Sequence, residues 1–115
     1  MSDYQIFLRF NNKSHVMWIN DGTNINKLSR DIALKFKMPY NIEYSDNNKD
    51  IIKNIETPFY IISNSKVLDR CNFKTINDFN IHWPHNRVQK DSTLWIYIIH
   101  TSKIWDKWKT SKNIS

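Results

Sequence analysis

The chain has 115 residues, 40% hydrophobic and 24% charged, with a net charge of +6. That is enough for one modest core in a globular domain, and the composition is not that of a disordered chain. It holds no apolar run near the roughly 20 residues of a membrane span, and the opening "MSDYQIFLRF" has no signal-peptide layout. The single cysteine, Cys71, excludes an internal disulfide and suits a reducing compartment, so an intracellular location (cytoplasm or nucleus) or a virus particle is expected.

"YQIFLRF" (4–10) alternates with period two, with Ile6 and Leu8 on one side and Phe7 on the other, and predicts a strand. "NNK" reads as a turn and "SHVMWIN" (14–20) as a second strand, giving an antiparallel hairpin. Asn24 is a good N-cap for "INKLSRDIALKFKM", in which Ile25, Leu28 and Ile32 recur at helical spacing. Pro39 ends that helix, because the residue ahead of a proline is pushed out of the helical region.

Residues 40–58 contain a loop, "SDNNKD", and "IIKNI", which suits a helical turn or a short strand equally. "FYIISN" (59–64) is a strand, "SK" a turn and "TINDFNI" a short buried connection. After "HWPHNRV", "STLWIYII" (92–99) is the strongest strand in the chain, and "HTSKIWDKWKTSKNIS" follows it as a basic, tryptophan-containing tail. The order is β-β-α-β-turn-β.

That order, with "YQIFLRF", "NINKLSRDIALKFKMP" and "LDRCNFKTINDFNI" followed by "QKDSTLWIYII", resembles the ubiquitin-like β-grasp family over residues 4–39 and 59–100. The resemblance implies an α+β fold, a mixed four- to five-stranded sheet packed on one helix. Residues 1–100 would form the domain, interrupted by insertions at 40–58 and 82–88, with 101–115 as a tail. It assigns Ile6, Leu8, Met17, Ile19, Ile25, Leu28, Ile32, Ile61, Leu68, Ile76, Ile81, Leu94 and Ile96 to the core. Conjugation in that family needs a tail ending in two glycines, and no glycine occurs after the last strand, so a non-conjugated module is expected. Lys66 and Lys90 match lysines that carry chains in ubiquitin, a match of little weight because surface lysines are common.

The other face of such a sheet ordinarily meets water. Here alternation directs Phe7, Val16, Trp18, Tyr60, Ile62, Trp95, Tyr97 and Ile99 outward. Ile62, Trp95 and Tyr97 fall on the apolar recognition patch of the resemblance. So many aromatics form a larger patch than a soluble monomer ordinarily exposes, which implies cover by a protein partner, by residues 40–58 or by the tail. On a helix, Ile104, Trp105 and Trp108 would share one side, with Lys103, Lys107, Lys109 and Lys112 supplying charge as a second attachment. A tail this short is not expected to hold a membrane by itself.

The expected partner-binding residues are therefore Phe7, Trp18, Tyr60, Ile62, Trp95, Tyr97, Ile104, Trp105 and Trp108, in a small structural or assembly subunit of a viral particle or ribonucleoprotein. Single-stranded RNA, or another nucleic acid, is the competing partner, carried by Lys27, Arg30, Lys35 and Lys37 with the outward aromatics. No enzyme, cofactor, metal or small-molecule substrate is expected. His82 and His85 are two ligands where zinc normally takes four, and Cys71 has no evident histidine base.

Overall fold

A computed structural model describes residues 2–45, 48–100 and 103–105, with 43–45 and 48–54 described by backbone alone. In chain order the elements are β1 (Tyr4–Phe10), β2 (Lys13–Ile19), α1 (Ile25–Lys35), β3 (Asn41–Ser45), β4 (Asn48–Glu56), β5 (Phe59–Ser63), β6 (Lys66–Val67), α2 (Ile76–His82), a 3-10 turn (Pro84–Asn86) and β7 (Thr93–Ile98). The fold is mixed α+β. Its main sheet has five strands in the order β2-β1-β7-β5-β6, with β1 parallel to β7 and antiparallel to β2.

The chain divides into two compact units. The first takes Met1–Ile25 and Tyr60–Tyr97, and so holds nearly all of the main sheet together with α2. β1 and β2 pair without interruption from Tyr4↔Ile19 to Phe10↔Lys13. Their turn residues Asn11 and Asn12 both have positive φ, 51° and 61°, the type I′ geometry whose twist matches that of the strands. Asparagine tolerates this region better than other residues that carry a Cβ. Ile6, Leu8, Ile61 and Leu94 on the inner face are fully buried, as are Ile76 and Phe79 of α2. Tyr4 donates from its hydroxyl to Asp21 Oδ1 at 2.9 Å. Burial, and then that carboxylate, push the phenol well above its ordinary value.

The second unit takes Asn26–Phe59 and the residues from Ile98 onward. Ile25, Leu28 and Ile32 are buried along α1, as the three- and four-residue spacing predicts, and Ala33 is buried with them. The helix ends at Lys35, earlier than the proline alone suggests, in a Schellman motif. Met38 N–H donates to Ala33 O at 2.8 Å and Lys37 N–H to Leu34 O at 3.3 Å, with Lys37 left-handed at φ 56°. Glycine is the usual residue there, because a Cβ in that region costs about 1–2 kcal/mol. Lys37→Gly is expected to raise stability by about 0.5–1 kcal/mol, after discounting glycine's greater freedom in the unfolded chain. The urea midpoint reports it, and a lowered midpoint would contradict the geometry of this helix end.

Three expectations are corrected. "TINDFNI" is not a plain connection: residues 76–82 form a helix, opened by a capping box in which Thr75 and Asp78 satisfy each other's backbone N–H. Ile81 is not core. It is 66% exposed, because Ile76 and Phe79 set the buried stripe of α2 and Ile81 lies about 140° around the helix from Ile76. Met17 is only half-buried on its edge strand. Residues 40–58, left open between helix and strand, contain β3 and β4 as a separate two-stranded sheet.

Candidate interaction face on the main sheet

The register decides which side chains share the outer face. Phe7 lies opposite Val16 on one side and Thr93 on the other, Gln5 opposite Trp18, and Arg9 between Ser14 and Trp95. Alternation then puts Trp95 and Tyr97 of β7 outward, while Leu94 and Ile96 turn inward and are buried. β5 behaves alike: Tyr60 is exposed and Ile62 half-buried, while Ile61 and Ser63 are buried.

Trp18 is 64% exposed, Tyr97 51%, Trp95 45% and Tyr60 38%. Tyr60, Ile62, Trp95 and Tyr97, together with Asn64 and Ser65, line a shallow groove of about 520 Å³. Asn64 and Ser65 form the β5–β6 turn, again with positive φ at both positions (46° and 70°). The turn is tied down: Asn86 Nδ2 donates to Asn64 O at 2.7 Å, and Ser63 Oγ donates to Asn86 O at 2.7 Å. The turn that "SK" announces is thus tethered to the 3-10 turn more than 20 residues later, a contact its own sequence does not signal.

Two cations of this unit lie over aromatic rings. Arg70 stacks on Tyr60 with its guanidinium carbon 5.2 Å from the ring centroid, and Lys66 Nζ sits 3.6 Å over Trp83. Asp69 is turned inward: Oδ2 accepts from Arg70 at 2.8 Å and Oδ1 from Ile61 N–H at 3.1 Å, which prolongs the ladder where β6 has ended. None of the outward residues of β1, β2, β5 and β7 named above is a carboxylate, and Arg9 is their single formal cation.

Of the residues expected at the interface, the structure brings Tyr60, Ile62, Trp95 and Tyr97 together, with Phe7 half-buried on β1 and Trp18 on β2. Ile104 is 5% exposed and Trp105 half-buried, both in the second unit, so Ile104 presents no surface for an anchor. Trp108 and the lysines 107, 109 and 112 lie outside the described residues. Sequence reasoning missed Asn64 and Ser65 in the groove lining, and Arg70 over the Tyr60 ring. Nothing in "SNSK" signals a groove wall, since that turn is tethered to Asn86, far away in the chain.

Two of the side chains weighed for other chemistry have local structural partners. His82 stacks on Phe73 at 4.5 Å and its Nδ1 lies 3.0 Å from Asp78 O, while Cys71 Sγ donates to Val67 O at 2.7 Å. Burial pushes the Cys71 thiol up, against the nucleophilic form. Among the described residues, no cluster of three or more histidine, cysteine or acidic side chains is placed to hold a metal, and no helix is long and apolar enough to cross a membrane. No protein-family model matches this chain, and no curated protein matches it in sequence.

Proposed function

We propose that this chain is a ubiquitin-like β-grasp domain working as a non-conjugated protein-interaction module, a small subunit that docks in a larger intracellular or viral assembly through the outer face of its sheet. The fold assignment is supported by the element order and by the parallel β1–β7 pair inside a mixed sheet. The observation that carries the function is the groove of Tyr60, Ile62, Trp95 and Tyr97, with large rings left in solvent and no carboxylate among the outward strand residues named above. Aromatic anchors of this kind dominate protein interfaces. A single strand of nucleic acid would also stack on them, but tracking phosphates takes several cations along the path; the outward strand residues named above supply Arg9, and Arg70, over Tyr60, is paired with Asp69.

The test compares the full chain with Trp95→Ala/Tyr97→Ala as bait in an extract of the cells that make it. Proteins retained by the first are expected to be lost from the second. The Tm should stay within about 4 °C, since truncations at exposed positions stay near 0.5 kcal/mol each. Unchanged capture by the double variant would overturn the reading. So would binding of a 12-nucleotide oligouridine that disappears with both the double substitution and added salt, which assigns the face to nucleic acid.

A further inference from the structure

The two edges of the main sheet differ. One is β6, only two residues long; the other is β2, seven residues in continuous register. Natural sheets blunt an open edge with prolines, bulges, charges or brevity. β2 contains no proline and no bulge, and its one formal charge, Lys13, stands at its end.

Hairpin geometry fixes which backbone groups face that edge. A two-residue turn makes Phe10↔Lys13 a hydrogen-bonded pair, so Leu8↔His15 and Ile6↔Met17 are bonded pairs too. The intervening residues of β2, Ser14, Val16 and Trp18, therefore aim their N–H and C=O groups away from β1, off the sheet. No backbone bond beyond the hairpin reaches them among the described residues. Their side chains are exposed, 45% for Val16 and 64% for Trp18.

We infer that β2 pairs with β2 of a second copy, antiparallel about a two-fold axis at Val16, joining the two five-stranded sheets into one. The strand is complementary to itself in this register. Val16 meets its counterpart, Ser14 meets Trp18, and Trp18 lies diagonal to the second copy's Val16, burying the most exposed aromatic of the face. Lys13 falls opposite Ile19, and the two Lys13 ammoniums stand about 20 Å apart, so no like charges oppose. A proline-free, acid-free strand of a +6 chain offers no pairing charge to an arbitrary basic strand, whereas this arrangement satisfies every edge group of both copies at once. The pairing uses the edge and is separate from docking of another protein in the groove. Because each copy is cationic, salt strengthens it, the reverse of the effect on a nucleic-acid complex.

The experiment uses Val16→Cys with Cys71→Ser. Facing Cα atoms in a bonded antiparallel pair lie about 5.5 Å apart, inside the range a disulfide spans. Mild oxidation is expected to give a covalent dimer, while Thr93→Cys in the same background, on the same face but two strands inward, stays monomeric. Sedimentation of the unmodified chain should show the mass rising from 13.9 kDa toward twice that value as concentration approaches about 1 mM, more readily in salt. Val16→Lys, which sets two ammoniums on the axis, should hold it at 13.9 kDa. Crosslinking no faster than that of Thr93→Cys would overturn the proposal. So would linkage through Ser14→Cys in place of Val16→Cys, or a mass fixed at 13.9 kDa for the unmodified chain.

Discussion

Phe79→Ala is expected to destabilise the protein by about 3–5 kcal/mol, the usual range for deleting a buried aromatic ring. Phe79 is fully buried in α2, and Phe73 meets its ring edge-on at a centroid distance of 6.4 Å. Its backbone also belongs to the helix termini, with N–H donating to Thr75 O and C=O accepting from Trp83 N–H. The capping box at Thr75 and Asp78 and the cap at Trp83 hold the helix in place around the ring, so little collapse into the vacated space is available. Total stabilities are about 5–15 kcal/mol, so the loss takes a large fraction of the whole. At about 4 °C per kcal/mol for a chain of this size, Tm should fall by about 12–20 °C in thermal unfolding followed by circular dichroism. Ile81→Ala, two residues away, should change stability by no more than about 0.5 kcal/mol, as an exposed truncation does. Reversed magnitudes would mean that α2 is rotated about its axis.

Replacing Asp69 separates two costs that the native residue combines. Asp69→Ala at neutral pH is expected to lose about 1–3 kcal/mol, because the buried Ile61 N–H is left without its acceptor. Asp69→Asn keeps an acceptor oxygen there and should be at least as stable as the parent. The reason is electrostatic. Burial raises the Asp69 carboxyl above its ordinary 3.8, and the opposing pull of Arg70 and the Ile61 N–H does not cancel it. A folded value above the unfolded one means that the fold favours the protonated form. That contribution is complete below pH 3.8 and is lost as pH rises through the raised folded value. At neutral pH the charge is therefore a burden which asparagine lacks. The gap in urea midpoint between Asp69→Asn and the parent should narrow as pH falls from 7 toward 3.8, and a gap that widens on acidification would reverse the sign of the shift.

Much of the frame was readable before any coordinates. Alternation located β1, β2, β5 and β7, and the inward set Ile6, Leu8, Ile61 and Leu94 is buried as the pattern requires. α2 was missed although "TIND" carries its start signal, a threonine followed three residues later by an acid. With only seven residues, its apolar positions are too few to define a period, and the cap alone marks it. β4 was ambiguous because "IIKNI" suits either period, and pairing with β3 resolves it. Lys37 gave no warning of a left-handed helix end, since the motif is defined by the hydrogen bonds to Ala33 and Leu34 and here uses no glycine.

The outward set of aromatics follows from period two, because successive side chains on a strand must point to opposite faces whatever the strand packs against. Whether those rings converge does not follow, since that depends on which strands are neighbours. Only the strand order β2-β1-β7-β5-β6 sets Trp95 and Tyr97 beside Tyr60 and Ile62, and the tether from Asn86 joins the turn at Asn64 and Ser65 to a distant one. Residues 60 and 97 are far apart in the chain and meet through hydrogen bonds between strands, which leave no mark on either local pattern. The same holds for the open edge of β2. Its composition marked it as a strand, but its lack of a second neighbour is a property of the assembled sheet.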